Sequence, residues 1–213
     1  EKGIERLIEI IKEEGGKNPL VFLDTGAVIQ WEDELRQNDN RHLNSSWLYG
    51  SLGRAFPLYA SEHATSEICR HYKENLIAGK REVSTETHEI ISALHKDYCD
   101  LLKTLSKSPK SLDHVRYDVF WAGKIAEVLR ERGNSKKKSK EGLSDIDRGI
   151  LETAAFLRLA HLSADMPITS SIILSTDHLL EMTAGILCDR HYHAFDEFGK
   201  FGYDNIKVIN VQY

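Results

Sequence analysis

Residues 19–24, Pro-Leu-Val-Phe-Leu-Asp, form a continuous apolar run that ends on an acid. Such a run, with no polar alternation, is expected of a parallel strand covered on both faces. Open α/β sheets bind their ligands at the carboxyl ends of the strands, so an acid in that place is a candidate metal ligand. Asp is also a favoured helix N-cap, and Asp24 taken alone fits either role equally well.

The flanking sequence repeats the strand-and-helix theme. IERLIEIIKE (4–13) sets Ile4, Leu7, Ile8 and Ile11 at helical spacing, and Gly15 and Gly16 end that helix. TGAVIQWEDELRQ (25–37) starts the next helical or loop segment, and 38–54, rich in Asn, Ser and Gly, reads as a loop. AFPLYAS (55–61) is a second strand candidate and EHATSEICRHYKENLI (62–77) a helix. Helical periodicity returns over 82–107 and 113–132, around a turn at Ser108-Pro109, and GNSKKKSKEG (133–142) is a polar, basic loop. LSDIDRGILETAAFLRLAHL (143–162) is an amphipathic helix with its own start signal. SIILST (171–176), DHLLEMTAGI (177–186) and IKVINV (206–211) then read as strand, helix and strand. This alternation predicts one α/β domain over 1–213, with a mainly parallel sheet and a strandless helical insertion at 81–142.

The composition is that of an ordinary folded protein, 41% hydrophobic and 29% charged over 213 residues. No apolar run reaches the roughly 18 residues of a membrane span. The first segment is charged throughout, unlike a signal peptide. Cys69, Cys99 and Cys188 are odd in number and far apart, which predicts neither a disulfide framework nor a zinc site. A cytoplasmic setting is the expectation. The net charge is −5, but it is unevenly spread. Between Lys96 and Lys140, twelve Lys and Arg face six Asp and Glu, a net +6 that leaves −11 elsewhere. An acidic body with a basic arm fits a nucleic-acid enzyme, and a solvated helical hairpin fits the same numbers.

Three further acids are candidates, and the first repeats the setting of Asp24. Asp177 follows the SIILST run and precedes a helix. Asp147, in Ser144-Asp145-Ile146-Asp147, lies close to a capping box with Ser144 as cap. Asp145 is a further candidate ligand two residues away. Glu67 lies inside a helix beside its apolar face, with Glu62 as the competing acid; taken alone it reads as a surface Glu. Clustered carboxylates repel one another and raise each other's pKa, so such a set makes sense where divalent cations neutralise it.

The order and setting of these acids resemble the PIN-domain nuclease family. VFLDTGAVI resembles its first strand, with Asp24 followed by the hydroxyl residue Thr25. ATSEICRHY resembles the second motif, a Ser-Glu pair in a helix, and LSDIDRGILETAAFL the third, with Asp147 matched by its spacing to Ile150 and Ala154. ILSTDHLL resembles the fourth, with Ser175 and Asp177 matching a hydroxyl-x-Asp strand end. The resemblance covers about 19–80 and 143–211. It implies a three-layer α/β/α fold and a metal-dependent endoribonuclease acting on single-stranded or structured RNA. Asp24, Glu67, Asp147 and Asp177 would be catalytic and hold Mg²⁺ or Mn²⁺, with Thr25 and Ser175 in support. The chain is longer than compact members of the family, which weighs against a toxin role.

In the basic segment, Arg116, Arg130, Arg132, Lys136, Lys137, Lys138 and Lys140 are expected to meet the RNA backbone. Trp47, Tyr117 and Trp121 are candidates for base stacking, with core packing favoured for Trp121. A homo-oligomer is left open. The competing reading is a catalytically inactive PIN-like scaffold or RNA-binding protein. LDTGA (23–27) also looks like an aspartic-protease loop, but that fold is almost wholly β and the chain has no second such loop.

Overall fold

The computed structural model describes residues 2–37, 44–78, 83–106, 144, 147, 149–151, 153–154, 170–185 and 206–211. Its elements run α1 (Lys2–Gly15), β1 (Pro19–Leu23), α2 (Thr25–Gln37), α3 (Ser45–Ala55), β2 (Leu58–Ala60), α4 (Glu62–Ala78), α5 (Thr85–Ser106), β3 (Ser170–Ser175) and β4 (Ile206–Asn210). Helical backbone also holds Asp147, the described residues 149–154 and the stretch 178–185.

The four strands form one sheet in the order β2-β1-β3-β4, and every pairing is parallel. The expected α/β class with a parallel sheet is therefore present. All five residues of β1 and all six of β3 are buried, as their apolar runs require. Alternate residues face opposite sides of the sheet. Val21, Leu23, Ile172, Leu174 and Ile209 join a core that includes Ile4, Leu7 and Ile11 of α1, Val28 and Trp31 of α2, Leu52 of α3, Ile68 of α4 and Ile91 of α5. Leu20, Phe22, Ser171 and Ile173 face the other way. There Ser171 Oγ donates to the Ala154 carbonyl at 2.9 Å and ties the Asp147 helix to β3.

One element departs from the sequence reading. Residues 45–54, expected as loop, and Ala55, expected to open the second strand, form the helix α3. Asn44 caps it, its side chain accepting from Trp47 N at 2.8 Å, and Leu48, Tyr49 and Leu52 are buried along one face. The capping hydrogen bond and the i, i+4 leucines outweigh the poor helix propensity of Gly50 and Gly53. Trp47, a stacking candidate, is partly buried against the core cluster.

The described part of the 81–142 segment, α5, packs against β2, α4 and α3. Buried Thr87, Ile91 and Tyr98 lie on it, and the His95 ring lies 3.2 Å from the Ala60 carbonyl through Nδ1. Among the described residues no helix is long and apolar enough to cross a membrane.

Candidate functional site

The chain leaves β1 toward β2 on one side of the sheet, while β3 lies on the other. Strand order therefore reverses between β1 and β3, and in open α/β sheets the crevice outside the carboxyl ends at such a point is where ligands bind. Asp24 directly follows β1, and Thr176-Asp177 directly follows β3. The two ends are knitted together. Asp24 N donates to the Leu174 carbonyl at 3.0 Å, and Ser175 Oγ donates to Asp24 Oδ2 at 2.6 Å. Ser175 Oγ also accepts from Asp177 N at 3.0 Å, so one hydroxyl bridges the two acids. Gly26 permits the close approach, since a Cβ there would overlap the Thr176 hydroxyl.

Each acid has a local partner. Asp177 Oδ1 caps the helix over 178–185, accepting from Leu179 N at 2.6 Å. Asp147 and Ser144 form the reciprocal capping box that their spacing suggested. Ser144 Oγ and N donate to Asp147 Oδ2 at 2.7 and 3.2 Å, and Asp147 N donates back to Ser144 Oγ at 3.1 Å. Glu67, on α4, accepts from Arg70 Nη2 at 3.2 Å, and its side chain is 21% exposed.

The four acids also share one electrostatic neighbourhood. Burial is the main cause that pushes the Asp24 carboxyl up to about 6. The Ser175 hydrogen bond opposes this, and the charges of Asp147 and Glu67 add to it. Asp147 is likewise raised, first by burial; the Ser144 hydrogen bond lowers it, and the charges of Asp177 and Glu67 raise it further. Side chains from four separate stretches of chain thus act on one another across the carboxyl edge of the sheet. Thr25 Oγ1, beside Asp24, is buried with no hydrogen-bond partner among the described residues. Buried polar atoms ordinarily have a partner.

Among the described residues no three His, Cys, Asp or Glu side chains are already spaced to share one ion. The donor set is nonetheless all oxygen and anionic, the chemistry of a hard divalent cation. Magnesium keeps several waters and needs only one or two direct carboxylates.

Asp145 and the basic residues Arg116, Arg130, Arg132, Lys136, Lys137, Lys138 and Lys140 lie outside the described residues, as do Tyr117, Trp121 and Cys188. Cys69 and Cys99 are free thiols, near His88 and His95 respectively.

Sequence reasoning passed over a second buried carboxylate. Glu32 of α2 is 4% exposed and accepts from Ser84 Oγ at 2.9 Å, Ser84 N at 3.2 Å, Ser45 Oγ at 3.4 Å and Thr87 Oγ1. Arg36 Nη2 lies 3.7 Å away. Its signal was its position: Glu32 falls four residues after Val28 on the buried face of α2. It joins α2 to the starts of α3 and α5.

No protein-family model, curated protein or solved structure matches the chain.

Proposed function

We propose that the protein is a PIN-like, metal-dependent endoribonuclease whose site is the carboxylate group Asp24, Glu67, Asp147 and Asp177. One observation carries the reading. Among the described residues, a buried Asp at the end of β1, at the topological switch point, faces other acids. A fold keeps such a buried charge at a cost in stability, and the cost is understandable where a divalent cation completes the site.

Asp24, Asp147 and Asp177 would hold the metal, directly or through its waters, and Glu67 would hold metal or orient the attacking water. Bound there, Mg²⁺ or Mn²⁺ supplies a nucleophilic water and stabilises charge on the phosphodiester. Ser175 keeps Asp24 and the Asp177 turn in register, and Thr25 offers the adjacent hydroxyl.

Purified protein incubated with labelled single-stranded RNA and Mn²⁺ should cut it, and chelation should stop cutting. Asp24→Asn keeps the shape and removes the charge. It should lower the rate on the order of a thousandfold, since the metal is worth several kcal/mol in the transition state. Cleavage at the wild-type rate by this variant would remove the site assignment. Specific RNA binding with no cleavage and no divalent binding would favour the inactive scaffold instead.

A further inference from the structure

On α4, His63, Ser66, Glu67 and Arg70 fall at i, i+3, i+4 and i+7, and so make one stripe along the helix. With Glu62 they line a cavity of about 420 Å³ that adjoins the carboxylate group through Glu67. The His63 ring, on the same stripe, rests against Gly149 of the Asp147 helix, where a Cβ would overlap it. The cavity thus opens beside the site, and its wall holds an imidazole, a hydroxyl and a guanidinium together with the Glu62 and Glu67 carboxylates.

Arg70 is the cation of this group. Its side chain is 56% exposed and is shared between Glu67, at 3.2 Å from Nη2, and Glu74, at 4.0 Å from Nε. Exposed ion pairs of this kind contribute little, about 0–1 kcal/mol. A phosphodiester carries the same single negative charge as a carboxylate and offers a guanidinium two oxygens in the same bidentate geometry. It can replace Glu67 on Arg70 at small cost, and the replacement leaves the Glu67 carboxylate free to turn toward the other acids.

We propose that this cavity is the subsite for a phosphodiester of the RNA strand next to the one cut, held by Arg70 with Ser66 and His63. Arg70 also parks Glu67 until the strand arrives. The proposal rests on the nuclease reading for the identity of the strand, but not for its test. Arg70 is exposed, so Arg70→Gln should fold normally, which its melting curve checks.

Binding of a labelled single-stranded RNA is measured against salt in the Asp24→Asn background, where no cleavage interferes. Arg70→Gln should weaken binding about tenfold, the worth of one charged hydrogen-bonding contact. It should also flatten the log–log salt slope by about 0.7, the value for one neutralised phosphate on a single strand. Arg70→Lys should keep the slope and recover part of the affinity, because a point charge replaces the fork. In the cleaving protein, Arg70→Gln should raise KM.

A folded Arg70→Gln protein with unchanged affinity and salt slope overturns the subsite, whatever the enzyme does. Failure of wild-type protein to cut RNA with Mn²⁺, alongside the predicted loss of slope, overturns the nuclease reading and leaves the subsite standing.

Discussion

Asp24 and Glu32 are both buried carboxylates, 5% and 4% exposed, one leading into α2 and the other within it, yet their surroundings are opposite. Glu32 is ringed by donors: two serine hydroxyls, a threonine hydroxyl, a backbone N–H and the nearby Arg36. Asp24 receives the Ser175 hydroxyl and the Thr25 backbone, and faces Asp147 and Glu67. Burial is therefore not what separates the two acids. The balance of charge among the described residues around them is. Glu32 is a completed clamp that joins three helices, while Asp24 faces acids, and in the proposed function a cation would bring the positive charge there.

The sharpest way to break this contrast is to exchange the functional consequences of the two acids. Asp24→Asn should lose activity on the order of a thousandfold while the protein stays folded. Glu32→Ala should do the reverse. It strands Ser84 N–H and the hydroxyls of Ser45 and Thr87 in a buried place, so it should destabilise by about 3 kcal/mol. The variant that remains folded at low temperature should still cut RNA. Chemical denaturation and a cleavage assay on both variants check the pair, and a large activity loss in a folded Glu32→Ala protein would end the distinction.

A second contrast concerns pH. The Asp24 carboxyl is raised in the folded state to about 6 from the ordinary 3.8. The folded protein then binds this proton more tightly than the unfolded chain. Stability contributed by protonated Asp24 is present at acid pH and is lost as pH rises from about 4 to 6. Above that window the metal-free protein carries the full penalty, on the order of 3 kcal/mol. Asp24→Asn should thus be more stable than wild type at pH 7 without metal, and the gain should vanish toward pH 4. Saturating Mn²⁺ should close the gap at pH 7: at a hundred times its Kd it stabilises wild type by about 2.7 kcal/mol, and the variant far less. Melting temperatures across pH, with and without Mn²⁺, decide it. An Asn variant no more stable than wild type at pH 7 would mean that Asp24 is compensated after all.

The two regions also differ in how far they could be read from sequence. Asp24, Asp147 and Asp177 sit where chain-local signals are strong, after apolar runs or three residues past a Ser. Those same signals announce helix starts, and the structure makes Asp177 a cap and Asp147 the capping-box partner of Ser144. What local sequence could not supply was their shared neighbourhood, which depends on strand order. Glu67 had no local signal of its own and was singled out through resemblance. Glu32 was missed because its partners Ser45, Ser84 and Thr87 come from distant segments, one of them the stretch expected as loop. In α3 the density of Ser and Gly obscured a helix whose Asn44 cap and Leu48-Leu52 pair were already in view. In the 81–142 segment net charge drew attention to the arm, while the buried Thr87, Ile91 and Tyr98 join α5 to the body.

The smallest expected effect is the finest test of the contrast. Ser175 Oγ is the one side-chain donor to Asp24 among the described residues, and it also accepts from Asp177 N. Ser175→Ala removes the hydrogen bond that favours the ionised carboxylate, so the Asp24 carboxyl should rise further above 6. The proton then competes with the cation over a wider range. At pH 6.5 to 7 Mn²⁺ affinity should fall about tenfold, the worth of one hydrogen bond to a charged group. The loss should shrink as pH rises, because the acid ionises again. A loss that is the same at all pH values would show that the hydroxyl acts on the metal or the turn, and that Asp24 does not depend on it for its charge.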